Sequence, residues 1–320
     1  MNPNTQSSTS TESLRKIVHI GWMRTGTTYL QGIFKQHPDI HASLKNRFFS
    51  YEPYFSQGQT YYDEILEKAS PNQHIFVDSD ENYSMGRFKT VLREKEKRAF
   101  NLKSELSFIS HDIPQMIDRI KSVVPDAQIV GMIRTQSDWF SSVYKHDVAN
   151  FALDQSFEDF FHSELGKSYQ LAADYMQIIE QLWDAFGKEK VKIFLFEDFK
   201  NTNEAFLRDL SSFMQVELTN IKKSKLKKNI SPDNFFTSLY RQINKLSEKQ
   251  NLKPENSNYL KLRDVVGKIE GLFRKFDVTV KKELISKQLK NQIFDQYREG
   301  NIKLAKALGK EEPMQQYGYY

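Results

Sequence analysis

Four short apolar runs, Ile17–Gly21, His74–Asp78, Ile129–Ile133 and Val191–Phe196, punctuate the first 200 residues of this 320-residue chain, and helix-period segments fill the intervals. Strands joined through helices cannot pair as tight hairpins. The crossovers impose parallel pairing, and a parallel sheet is covered by helices on both faces, so its strands read as continuous apolar runs. After the first run, Leu30, Ile33 and Phe34 recur at helical spacing until His37-Pro38. Pro114 opens a helix carrying Met116, Ile117, Ile120, Val123 and Val124, which Pro125-Asp126 breaks. Trp139, Val143 and Val148 mark a third helix; Tyr175, Ile178, Ile179, Leu182 and Phe186 mark a fourth, with Gly187 as its C-cap. Beyond about residue 200 the pattern is helical only. The expected fold class is α/β, a mainly parallel central sheet flanked by helices with extra C-terminal helices over about 250–320. Residues 1–15 read as a flexible polar tail and residues 16–320 as a single domain. Ligands of such sheets bind at the carboxyl ends of the strands.

Composition limits the partners. Charged residues are 27% and hydrophobic residues 39%, a globular balance. The net charge of +5 suits a small anionic ligand and is too weak to call for nucleic acid. With no cysteine, the chain has no disulfide framework, no thiolate zinc site and no cysteine nucleophile. The first sixteen residues lack the apolar core of a secretory signal, and no stretch reaches the length of a membrane span, so the expectation is a soluble, cytoplasmic protein.

Gly21-Trp22-Met23-Arg24-Thr25-Gly26-Thr27-Thr28 lies between the first run and its helix. Amides at a helix N-terminus converge there with a favourable dipole, which calls for an anion. Gly26 permits a tight turn and close approach, Thr27 and Thr28 supply hydroxyls, and Arg24 supplies a permanent charge. A P-loop nucleotide triphosphatase requires Gly-Lys-Ser/Thr at this place; here the lysine is missing and the basic residue stands at Arg24. A second constellation follows the third run. Arg134 ends it, and Ser142 comes eight residues later in the next helix, with Tyr144 two beyond. A strand-end arginine and a hydroxyl from the following helix can meet on one anion.

Together, and in this order, these two motifs resemble the 5'-phosphosulfate and 3'-phosphate elements of the sulfotransferases that use 3'-phosphoadenosine-5'-phosphosulfate (PAPS). Asp126-Ala127 and Phe196-Glu197-Asp198-Phe199 extend the resemblance over roughly residues 15 to 245. It implies a P-loop-NTPase-like sulfotransferase fold, PAPS as donor, PAP as product, and in-line transfer to a hydroxyl or amine of a saccharide, lipid or small molecule without a required metal. By the same resemblance Arg24, Thr25, Gly26, Thr27 and Thr28 hold the 5' end of the donor, and Arg134 and Ser142 its 3'-phosphate. The mammalian cytosolic branch carries lysine where this chain has Arg24. Arginine stays charged at any working pH, so Arg24 is expected to act as an electrostatic clamp and not as an acid.

Transfer also needs a base near the strand ends, and Asp78-Ser79-Asp80-Glu81-Asn82 follows the second run. The Ser-x-Glu of many bacterial members resembles this segment and points at Glu81; an alignment shifted by three points at Asp78. Ile221–Ile230 holds Lys222, Lys223, Lys225, Lys227 and Lys228. As composition alone it is a solvated face. Lys228-Asn229-Ile230-Ser231 resembles a Lys-Asn-x-Ser segment of bacterial relatives, and by that resemblance Lys227, Lys228, Asn229 and Ser231 join the donor site. Acceptor pockets of this fold carry no spacing code; the Phe- and Tyr-rich residues 43 to 66 and the helical tail are the places to look. The competing readings are a magnesium-dependent P-loop kinase and a non-catalytic nucleotide-binding module.

Overall fold

A computed structural model describes residues 14–45, 48–51, 55–56, 58–92, 106–219, 231–249, 257–276 and 283–320. They cluster into two compact units, one drawn from Met1–Arg134 and Tyr175–Lys228, the other from Thr135–Asp174 and Asn229–Tyr320.

The first unit is built on a five-stranded parallel sheet. Its strands are β1 (Arg15–His19), β2 (Ile40–Leu44), β3 (Ile75–Ser79), β6 (Gln128–Ile133) and β7 (Val191–Leu195), in the order β2-β3-β1-β6-β7. The fold expected from the four apolar runs is the fold observed. β3 and β1 and β6 and β7 are those runs, buried on both faces and therefore continuous in sequence. β2 escaped the reading because it is only partly buried and carries His-Ala-Ser in its middle. The fourth run also ends one residue earlier than its apolarity suggests, since Phe196 opens a helix.

Helix α1 (Thr27–Gln36) lays Leu30, Ile33 and Phe34 on Ile17, Val77 and Val130 of the sheet. Each such side chain taken from water contributes about 1.5–3 kcal/mol, so Phe34 and its neighbours fix the helix's angle onto the strands. α2 (Gly58–Leu66) follows β2, and α3 (Ile113–Val123) starts on Asp112, whose carboxylate accepts from the Gln115 N–H at 2.9 Å, with proline in its first turn as predicted. α7 (Tyr175–Phe186) ends at Gly187, α8 (Phe196–Asn201) follows β7 directly, and α9 (Asn203–Met214) completes the core with Phe206, Leu207 and Leu210. An antiparallel pair, β4 (Arg87–Leu92) and β5 (Leu106–His111), stands between β3 and α3; no apolar run announced it. β1 lies between β3 and β6, so the strand order reverses around it, and open parallel sheets bind ligands at the strands' carboxyl ends beside such a reversal.

The second unit is helical. α4 (Gln136–Asn150), α5 (Phe157–His162) and α6 (Glu164–Ala173) pack with α10 (Asn234–Lys249), α11 (Ser257–Lys275), α12 (Lys287–Leu308) and α13 (Glu311–Gln316). Buried amides fix the arrangement. Asn301 of α12 exchanges hydrogen bonds with Gln136 at 2.9 and 3.0 Å and donates to the Tyr319 carbonyl, while Gln136 donates to Ala173 O. Asn244 of α10 donates to the carbonyls of Val148 and Leu153. Each of these groups would be costly to bury unpaired, so the C-terminal helices are locked to α4 by specific partners as well as by apolar area. Among the described residues no helix is long and apolar enough to cross a membrane.

Candidate active site

The loop after β1 is braced from within. Thr25 Oγ1 and Thr27 Oγ1 both donate to the Trp22 carbonyl, at 2.6 and 3.2 Å, and the buried Trp22 ring stands edge-on to Tyr175 at 5.6 Å. A Cβ on Gly21 would lie 2.6 Å from Thr27 Oγ1, so only glycine lets the loop turn this close to its own helix. Gly26 is the α1 N-cap at φ 87° with no side chain capping the helix, and a Cβ there would sit 3.3 Å from the Phe199 ring. The first turn of α1 is thus presented with its dipole uncapped by any side chain. Arg24 itself holds φ 63°, a left-handed conformation that costs a non-glycine residue on the order of 1–3 kcal/mol.

Three carboxylates cluster where β3 ends. Asp78 is within the strand, fully buried, opposite Val18, and accepts from Tyr83 Oη at 3.2 Å. Burial first, and then the Asp78 charge, push the phenols of Tyr83 and Tyr62 well above their usual range, so both stay protonated. Asp80, also buried, accepts from the Asn82 backbone N–H at 2.8 Å and from its side-chain amide. Glu81 is partly exposed on the turn, the one of the three carboxylates that is not buried.

Beneath this turn lies a contact the sequence did not disclose. His19, at the end of β1 and directly across from Ser79, places Nδ1 2.8 Å from Ser79 Oγ, while Gln31 of α1 donates to the same hydroxyl at 3.1 Å. All three side chains are buried. Burial lowers the His19 pKa to about 4, so the ring is neutral at working pH. The Asp80 N–H bonds to the His19 carbonyl at 3.3 Å, giving a second tie between the glycine loop's strand and the carboxylate turn. A histidine inside an apolar run, and a glutamine on the apolar side of α1, were the signals available.

Arg134 leaves the end of β6 with its guanidinium 4.9 Å from the Phe196 ring centroid, and its carbonyl accepts from Tyr175 Oη at 2.8 Å. Phe196 and Phe199 lie 5.6 Å apart on α8. One ring backs the arginine and the other backs Gly26, so the Phe-Glu-Asp-Phe segment supports both Arg134 and the glycine loop. The first unit therefore gathers Arg24, Thr25, Gly26, Thr27, Thr28, Asp78, Glu81 and Arg134 at the carboxyl ends of β1, β3 and β6. In the second unit Ser142 and Ser231 bring their hydroxyls within 3.2 Å of each other, and Tyr144 Oη donates to the Gln155 carbonyl at 2.7 Å. Lys227, Lys228 and Asn229 lie outside the described residues. Phe48, Phe49 and Tyr62, from the aromatic stretch considered for the acceptor, pack into a buried cluster with Phe76 and Tyr83.

Comparison with known proteins accords with this geometry. No curated protein matches the sequence. A sulfotransferase from Alicyclobacillus acidocaldarius is similar in structure, with a TM-score of 0.50 at 19% identity over 77% of this chain and 98% of that one. A sulfotransferase domain from the curacin biosynthetic pathway aligns with a TM-score of 0.42 at 14% identity, over 79% of this chain and 98% of its own. A mouse sulfotransferase complexed with PAP aligns with a TM-score of 0.41 at 10% identity, over 95% and 88%. The model of the sulfotransferase family matches residues 16–220, a span containing the braced glycine loop, the carboxylate turn, Arg134 and the paired phenylalanines, and the chain belongs to that family.

Proposed function

We propose that this protein transfers the sulfuryl group of PAPS to a hydroxyl or amine of a small-molecule or glycan acceptor. The observation that carries the reading is the juxtaposition, on three neighbouring strands, of a glycine-loop helix N-terminus with Arg24, a partly exposed carboxylate at Glu81, and Arg134. In this reading the α1 amides and Arg24 hold the 5'-phosphosulfate. Glu81 takes the acceptor proton as the acceptor oxygen attacks sulfur, the bond from sulfur to the 5'-phosphate oxygen breaks, and the charge left on that oxygen is met by Arg24 and the helix dipole. Partial exposure favours Glu81 over Asp78, because a base must reach a proton on a ligand that enters from solvent. Thr25 and Thr27 act by holding the loop closed on Trp22. The sequence pattern assigns the 3'-phosphate to Arg134 and Ser142, and donor closure to Lys227, Lys228, Asn229 and Ser231. A donor with charge at both ends suits arginines better than the single lysine of a triphosphatase loop.

Purified protein incubated with sulfur-labelled PAPS and a panel of phenols, sterols, glycans and amines tests this. Label is expected in at least one acceptor, and transfer is expected to survive EDTA. Phosphoryl transfer from magnesium ATP, with none of sulfur label from PAPS, would overturn it.

A further inference from the structure

α11 carries a second apolar face that no described residue of its own unit covers. Leu262, Val265, Ile269, Leu272 and Phe276 are 46%, 50%, 42%, 54% and 69% exposed, whereas Tyr259 and Val266, on the adjoining arc, are 6% and 8% exposed. The inner arc is tied down: Tyr259 Oη donates to Asn244 Oδ1 at 2.8 Å, and Arg263 bonds to the same oxygen at 2.6 Å. The outer residues recur at intervals of three, four, three and four, the seam of a coiled coil, and the Phe276 N–H still bonds to Leu272 O at 3.1 Å, so the seam runs to the helix end. Isolated exposed apolar side chains are ordinary, but five in one seam are a surface built for contact.

The charges beside the seam say what kind of contact. Lys261, Lys268 and Lys275 occupy one heptad position on its open flank, all exposed. Asp264 is the acidic residue near them, 2.7 Å from Lys268. A second copy is disfavoured either way. Packed antiparallel, the lysine flanks would face each other; packed parallel, each flank would need the position that Tyr259 and Val266 occupy against their own unit. A membrane surface takes a broad apolar face, and here the exposed seam is narrow, since the Tyr259 and Val266 side of the helix's apolar arc is already buried. We infer that the outer face of α11 docks an amphipathic helix of another protein, one with an apolar seam bordered by glutamate and aspartate.

Fluorescence anisotropy with two labelled synthetic peptides of about three heptads, leucine at the seam and either glutamate or lysine at both flanks, tests the inference. The glutamate peptide should bind at least about 10-fold more tightly than the lysine peptide, weakening as salt rises. The triple variant Lys261→Glu, Lys268→Glu, Lys275→Glu should reverse the preference, and Ile269→Asp with Leu272→Asp should abolish binding of both peptides while the circular dichroism spectrum is retained. Should the double variant fail to fold, the reversal in the lysine variant decides the matter alone. Equal affinity for the two peptides, or binding to neither, overturns the inference. Seam-dependent sedimentation with phosphatidylglycerol vesicles, or a seam-dependent dimer in sedimentation velocity, without peptide preference, overturns it in favour of a membrane or a second copy.

Discussion

His19 shows how one buried ring can set a pH limit. Its pKa is about 4 in the fold against 6.5 for an ordinary histidine, because burial disfavours the charged form. Between those two values the unfolded chain holds a proton that the native chain does not, so stability present above pH 6.5 is lost as pH falls, by about 3 kcal/mol in full. His19→Asn, which can still reach Ser79, should lack this slope. Urea unfolding at pH 7 and pH 4.5 is expected to show wild type losing about 2–3 kcal/mol more than the variant, and equal losses would contradict the assignment. Glu81 belongs to the same scale. Glu81→Gln keeps size and polarity but cannot accept a proton, so turnover should fall on the order of 10²–10⁴ with PAP affinity retained. If Asp78→Asn instead abolishes turnover while binding PAP, and Glu81→Gln stays near wild type, the base is Asp78. The choice between these carboxylates was not settled by spacing, since both fit a turn after a strand. Asp78 is buried and Glu81 partly exposed, which is the ground on which Glu81 is proposed. His19 was hidden for a related reason: its partner Ser79 is sixty positions away, and only the register of β1 on β3 brings them together.

At the scale of elements, α8 is the connection through which the glycine loop and Arg134 share one support. Phe199 closes on Gly26 and Phe196 lies under Arg134, so the two rings should be separable by ligand. Phe196→Leu removes a cation–π contact of about 0.5–1 kcal/mol and is expected to weaken PAP by a few-fold, with a smaller effect on adenosine 5'-phosphosulfate, which lacks the 3'-phosphate. Phe199→Leu should weaken both ligands alike. Isothermal titration of the two ligands against the two variants checks this, and an identical pattern for both would remove the division of labour. The glycine loop was legible because a helix N-terminus after an apolar strand leaves few alternatives. Arg24 in a left-handed conformation was not, since nothing in its side chain requires positive φ. α1, α3, α4 and α7 were legible from their apolar spacing. The β4–β5 pair was not, because no continuous apolar run marks strands that stand outside the main sheet.

At the scale of the whole molecule, the strand order rather than any single residue explains why the site lies where it does. Reversal around β1 sets the carboxyl ends of β3, β1 and β6 side by side, and three sequence motifs about fifty residues apart become neighbours there. Buried parallel strands announce themselves in sequence, so the four short runs, the edge strand β7 included, could be read; β2 could not, since it is mostly only partly buried and His41, Ala42 and Ser43 interrupt its apolarity. The helical unit was legible as helices, but its buried amide ties, such as Gln136 with Asn301, join positions too distant for any periodicity to connect. The central claim is that this architecture is specific for a nucleotide with a 3'-phosphate and a single 5' anion. Thermal unfolding with PAP or with magnesium ATP at equal concentration tests it most directly. PAP at about 100 times its dissociation constant should add about 2.7 kcal/mol and raise the melting temperature by several degrees, with a much smaller rise for magnesium ATP. Arg134→Ala should erase most of the PAP shift. Equal shifts for the two nucleotides, or a larger one for magnesium ATP, would contradict the account.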